Sequence, residues 1–172
     1  PGLNEYSQMF ERRRSQLRME GITGSDNTDG YELTASALNS RGILSYGRFA
    51  YESDGVRVNN DSDQLVQTLF GQYRINAELS LLAEYRDKDA EFGDMRQRFD
   101  STQFSRDERR ILNEKGWLLG LRSAPTPHNT YLVAVSSASL QDKTSLPTLI
   151  LTGDDDADQF EAQVLRNYKR SR

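Results

Sequence analysis

The stretch "INAELSLLAEYRDKD", residues 75 to 89, decides the fold class. Ala77, Leu79, Leu81, Ala83 and Tyr85 alternate with Glu78, Ser80, Leu82, Glu84 and Arg86, a period of two that belongs to a β-strand with two unlike faces. Such a strand meets two media. These are either a protein core and water, as in a soluble sandwich, or lipid and a polar lumen, as in an outer-membrane barrel.

Composition narrows the choice. The chain has 172 residues, of which 35% are AVILMFWYC, and its mean hydropathy is −0.77. That is polar for a globular fold with a thick dry core, but it suits a thin structure that is apolar on alternate residues only. Charged residues make up 28% with both signs interleaved and a net charge of −4, so charge provides no case for nucleic-acid binding. Cysteine is absent, which excludes disulfide and thiolate chemistry without naming a compartment. No apolar run approaches the length of a spanning helix, and "PGLNEYSQMF" lacks the charged and apolar regions of a signal peptide, so any such peptide is expected upstream or already removed.

Seven more alternating segments follow the same logic. Strands are expected at about Met9 to Thr23, Tyr31 to Leu38, 43 to 53, 64 to 75, 116 to 123, 130 to 140 and 159 to 170. The connections between them alternate long and short. Loops 54–63, 88–115 and 141–158 are expected on one rim, with a helical turn near Ser105 to Leu112, and "NSRG", "NA" and "APTPHN" on the other. This rhythm predicts an all-β, antiparallel up-and-down transmembrane β-barrel, or an arc of a larger one, with about eight strands in residues 1–172. Tyr31, Tyr51, Tyr73, Tyr85, Trp117, Tyr131 and Tyr168 fall near strand ends, where a ring is buried and its polar tip stays wet.

Several phrases also carry a likeness. "LNEYSQMFERRRSQLRMEGITGSDNT", "GRFAYESDGVRVNND", "LFGQYRINAELSLLAEYRDKDAEFGDMRQRFD" and "LGLRSAPTPHNTYLVAVS" resemble the barrel region of large bacterial outer-membrane proteins in which tetratricopeptide repeats precede a porin-like or TonB-dependent-receptor-like barrel. The most specific runs are F-x-x-x-SDG-x-R-x-NND and the one joining E-Y-R, GD and RFD. The resemblance implies a Gram-negative outer-membrane location, a transport or secretion role, and as partners the lipid and lipopolysaccharide of that membrane with the rest of a larger barrel or other subunits. The chain departs from the group in having no repeats, no plug, and no aromatic C-terminal strand end, which makes an excerpt of a larger barrel the expectation.

Motifs for chemistry fail. His128 stands in a turn without a second His or Cys to complete a zinc set or a triad, and no Walker loop, G-x-S-x-G, H-E-x-x-H or G-x-G-x-x-G occurs. Asp154, Asp156 and Asp158 begin an EF-hand spacing, but Gln159 replaces the glycine and Leu165 the bidentate Glu. "NNDSDQ" fails likewise, and the sequon at Asn60 matters only in a eukaryotic secretory setting. No enzyme activity, metal or cofactor is expected. What remains is charge at strand positions. Arg12, Arg14, Arg18, Glu20, Arg48, Glu52, Arg74, Glu84, Arg86 and Arg122 are expected to face a lumen, and Leu65, Leu69, Leu79, Leu81, Trp117 and Leu119 to face lipid. A charge pointed at lipid near the midplane costs about 2–4 kcal/mol. The leading expectation is a segment forming or lining a pore for secretion or uptake of solutes or polymers; a non-conducting membrane anchor or assembly scaffold and a soluble ligand-binding β-barrel are the alternatives.

Overall fold

A computed structural model describes residues 14–96, 104–126 and 128–166. They form eight strands: β1 Arg14–Thr23, β2 Asp29–Leu38, β3 Gly42–Ser53, β4 Ser62–Arg74, β5 Leu79–Phe92, β6 Arg109–Thr126, β7 Asn129–Leu146 and β8 Leu149–Arg166. All belong to one sheet in chain order, each antiparallel to the next, so the all-β up-and-down class is observed. Among the described residues β1 and β8 each pair on one side only, and there is no helix.

The short-turn rim is built by side chains that satisfy the backbone. Asn39 Oδ1 accepts from the N–H groups of Arg41 and Gly42, and Asn76 Oδ1 accepts from those of Glu78 and Leu79. These are the Asx geometries that asparagine favours, and they set the hairpin registers. Residues 39–41, 75–78 and 127–128 connect strands on this rim.

The opposite rim differs from expectation in two places. Residues 141–146 and 149–158 are strand: β7 and β8 run on to a two-residue turn with Pro147 at its first corner, and Leu146 pairs with Leu149. The expected loop 88–115 shrinks to 93–108, because Lys88 to Phe92 extend β5 and Arg109 to Lys115 begin β6. The helical turn near Ser105 to Leu112 is therefore absent, since Arg109 to Leu112 are paired strand. These extensions are mostly polar, and the apolar residues they carry, Ile111 with Leu112 and Leu149 to Leu151, fall on both faces, so no alternation marks them and pairing with a neighbour makes them strands. The expected loop 54–63 is observed as 54–61.

Among the described residues, no second layer covers this sheet. The chain exposes 12435 Å², whereas a compact monomer of its mass exposes about 8,600 Å² by the usual scaling. Buried strand side chains are confined to one parity: Ser53, Ser62, Gln72, Ser80, Leu82, Ala90, Leu132 and Ala134, which the register places on a single face. A flat sheet in isolation exposes both faces alike, so the sheet curls with this face inside. Leu82 and Leu132 pack together there with Phe70, Leu118 and Leu165, which explains why strand β7 looks apolar on both faces in the sequence.

Replacing Asn76 with Ala removes the acceptor for two turn amides and is expected to cost about 1 kcal/mol. Faster hydrogen exchange at Glu78 and Leu79, with the rest of β4 and β5 unchanged, is the readout.

Candidate functional site

Register assigns every strand residue to a face, because direct cross-strand partners share one. The outer, convex face carries Leu17, Met19, Leu33, Ala35, Leu44, Leu69, Leu81, Leu119, Val133, Val135, Phe160 and Val164. Leu119 is 51% exposed and Phe160 69%. Of the residues expected on the apolar parity, Leu65, Leu69, Leu79, Leu81, Trp117 and Leu119 all lie on this face. A hollow of about 550 Å³ crosses it over Gly71 and Ala83, bordered by Tyr73, Leu81, Leu119 and Leu121.

The band is edged by aromatic residues. Tyr46, Leu69, Tyr85 and Trp117 form one cross-strand row, with Tyr73 and Tyr131 on the same face toward the short-turn rim. Tyr51 does not join them, since pairing with Gly30 and Gln64 puts it on the concave face, and Tyr168 lies outside the described residues. One step beyond the aromatic row is a polar one, Arg48, Gln67, Asp87 and Lys115. The Tyr46 hydroxyl donates to Gln67 Oε1 at 3.0 Å and that of Tyr85 to Asp87 Oδ2 at 3.4 Å, so each ring lies in the band while its hydroxyl points to the polar row. From Leu79 to Tyr85 the apolar stretch of β5 is about 20 Å long, and from Leu69 to Tyr73 on β4 about 14 Å, at about 3.4 Å per residue.

Arg18, Glu20, Arg74, Glu84, Arg86 and Arg122 share the concave face. Arg14 occupies the same parity by register, and Arg12 lies outside the described residues. Arg48 and Glu52 do not belong with them. Arg48 pairs with Leu33 and Gln67, and Glu52 with Asp29 and Asp63, all on the convex face. The reason is local: β3 has large apolar residues on both parities, and its register on β4, from Gly42 with Tyr73 to Ser53 with Ser62, sets the opposite phase. The Arg48 guanidinium lies over the Tyr31 ring, 5.9 Å from its centroid, with its stem along apolar neighbours and its head at the polar row. Register sets no cross-strand Arg–Glu pair at these positions: Glu84 stands between Phe70 and Leu118, and Arg86 between Thr68 and Gly116. Arg18 instead pairs with Glu20 along its own strand.

Beyond the polar row, loop 54–61 locks onto residues 93–96 and 104–109, and the junction joins the two sequence phrases that looked most specific. Asp94 is fully buried. Its Oδ1 accepts from the Arg96 N–H at 3.0 Å and its Oδ2 from that of Ser105 at 2.8 Å, while its own N–H donates to the Asn59 carbonyl at 2.6 Å. Arg57 donates to the carbonyls of Asp94 and Arg96 at 2.6 and 2.9 Å. Asn59 Nδ2 donates to those of Ser105 and Glu108, each at 2.9 Å, and Arg109 pairs with Asp61. Asn59 holds φ 57°, a left-handed conformation that asparagine tolerates well. Gly93 is required by close approach, because a Cβ there would lie 2.2 Å from the Asn59 carbonyl oxygen. Nothing in the sequence pairs SDG-x-R-x-NND with GD; only their meeting across β4 and β5 does.

Below the junction, Arg110 donates to Asp142 through Nε at 3.0 Å and Nη2 at 2.5 Å. This bond holds the Asp142 carboxyl below the usual carboxylate range. No group of three or more metal-ligating side chains occurs among the described residues. Asp154, Asp156 and Asp158 are alternate residues of β8 on one face, a strand geometry unrelated to a calcium loop, and Asn60 donates to the Asp94 carbonyl at 3.1 Å.

No protein-family model matches the chain, and neither the curated proteins nor the solved structures contain a match.

Gly93→Ala is expected to cost about 1–3 kcal/mol through the forced shift at Asn59, and Asp94→Asn a similar amount by setting an amide donor against backbone donors. Limited proteolysis reads both: cleavage within 54–61 and 93–108 rises while the strands stay protected. The Arg110–Asp142 pair contributes stability above the ordinary carboxylate pKa and loses it as pH falls through the lowered native value. Asp142→Asn is therefore expected to remove part of the acid-dependent opening of this rim, measured by proteolysis against pH.

Proposed function

We propose that the chain is an arc of a bacterial outer-membrane β-barrel, whose convex face contacts lipid and whose concave face lines a path for secretion or uptake of solutes or polymers. The observation that carries this reading is the exposed apolar band on a sheet over which the described residues place no second layer. Contiguous apolar patches beyond a few hundred Å² are rare on soluble monomers, whereas a hydrocarbon layer suits such a band directly. Its edges fit as well: Tyr and Trp at the border, then charged groups, is the order of a membrane interface. With the strand tilt of a barrel the band is short, which accords with the thin bacterial outer membrane. A meander whose two outer strands each pair on one side accords with an arc of a larger barrel enclosing a channel.

A second reading has one observation in its favour. The Leu82, Leu132, Phe70, Leu118 and Leu165 cluster occupies the concave face, as in a narrow barrel filled by side chains that serves as an anchor.

The absence of cysteine makes the test direct. Single cysteines at Leu119 and Arg86, labelled with bimane in lipid vesicles, are expected to respond oppositely: the first quenched by acyl-chain nitroxides, the second by aqueous iodide. Iodide quenching of both, in a protein soluble without detergent, rejects the membrane reading. Leu119→Arg is expected to cost about 2–4 kcal/mol in vesicles. Single-channel conductance after reconstitution separates pore from anchor.

A further inference from the structure

The convex face is not smooth. Its hollow, about 550 Å³ in volume, takes in two adjacent rows, one running from Gly71 through Ala83 and Leu119 to Val135 and the next from Tyr73 to Val133. It therefore crosses from β4 to β7, about 14 Å over four strands at the usual spacing. The floor is low because Gly71 and Ala83 are direct cross-strand partners. A long, narrow, apolar depression fits a hydrocarbon chain and offers a polar solute nothing to bond.

The two borders of this face differ in charge. Toward the wide rim, Asp63, Asp89, Glu91, Asp154, Asp156 and Asp158 have the convex register and outnumber Arg48, Arg109, Lys115 and Lys143. Toward the short turns the sign reverses. Exposed Arg41 stands one residue before Gly42, the partner of Tyr73, and exposed Arg166 continues the convex register two residues past Val164. Glu78 is the acid that opposes them among the described residues of these turns. In the chain, residues 167–172 add Lys169, Arg170 and Arg172 with no acid, and residues 1–13 set Glu5 and Glu11 against Arg12 and Arg13. An anionic headgroup is therefore favoured at the short-turn border and disfavoured at the wide one.

We infer that the hollow holds one acyl chain of an anionic glycerophospholipid from the leaflet at the short-turn rim, with its phosphate at Arg41 and its chain laid over Gly71 and Ala83. Tyr73, which lines the hollow on that side, supplies an amphipathic ring where the chain meets the glycerol. The arginine stem is long enough to lie along the border while its head reaches the phosphate. The inference rests on the membrane reading of the convex face and adds which lipid fills the hollow and from which side it enters. The floor can be raised without disturbing the sheet, since a Cβ at Gly71 would meet Leu44 Cδ1 at 3.7 Å and the Ile43 carbonyl oxygen at 4.0 Å, both ordinary contacts.

The test inserts the full chain into vesicles of phosphatidylglycerol and phosphatidylcholine in equal parts with matched oleoyl chains, releases it into a polyoxyethylene detergent and weighs it by native mass spectrometry. One phosphatidylglycerol is expected to stay on each chain, preferred over phosphatidylcholine by about fivefold, the effect of one basic residue beside an anionic headgroup. Ala83→Leu and Gly71→Val, which fill the floor, are each expected to cut retention about tenfold, the loss of roughly two buried methylenes, while insertion read by protease protection is unchanged. Either variant serves if the other fails to fold. Arg41→Gln is expected to remove the preference for phosphatidylglycerol, and Lys115→Gln, at the opposite border, to leave it intact. Retention unchanged in both floor variants, a preference that follows Lys115 instead of Arg41, or a dimer in place of the lipid adduct, which assigns the hollow to a second copy, overturns the inference. Insertion without a retained lipid overturns it alone; a chain that stays soluble and never enters the vesicles overturns the membrane reading with it.

Discussion

Antiparallel register governs this molecule. Each direct pair of residues shares a face, so seven hairpin registers are enough to sort the strand side chains into two populations. On the convex side they align Leu69 with Tyr85 and Trp117, and Leu81 with Tyr73 and Leu121, producing a band that is apolar across neighbouring strands. A one-residue slip in any hairpin would mix the populations. The Asx turns at Asn39 and Asn76 therefore matter beyond their own hydrogen bonds, because they hold the phase of the strands they join.

The same constraint explains the distribution of burial. With one layer, a side chain is shielded only by curvature and by its neighbours on the concave side, where Leu82 is 3% exposed while Leu81 beside it is 43% exposed. In a soluble protein the apolar partner of that pair is expected inside, but both are leucines and each faces a different environment. The apolar cluster on the concave face and the apolar band on the convex face are thus separate features. The first packs within the sheet; the second requires a medium or partner that supplies apolar contact.

At the wide rim the physics changes from alternation to specific hydrogen bonding. Strands β6, β7 and β8 continue well past the aromatic row with polar residues on both faces, and the loops above them are fastened by Asp94, Asn59 and Arg57. A fully buried carboxylate is stable there because backbone N–H groups surround it. Beneath this junction Arg96 and Glu108 line a pocket with Phe92, Arg110 and Thr144.

Alternation alone made the all-β class, the meander and the faces of Leu65, Leu69, Leu79, Leu81, Trp117 and Leu119 legible, since a period of two in a strand is a statement about direction. It also placed Arg18, Glu20, Arg74, Glu84, Arg86 and Arg122 on one side. Where both parities carry apolar residues, as in β3, the pattern has no phase, and the pairing of Gly42 with Tyr73 had to set the sides of Arg48 and Glu52. Where polar and apolar residues fall on both parities, as at 141–158, there is no pattern, and only the pairing of β7 with β8 marks the strands. The junction of Asn59 with Asp94, and the pocket beneath it, joins residues distant along the chain through hydrogen bonds whose partners no local spacing encodes; only the folded sheet could bring them together.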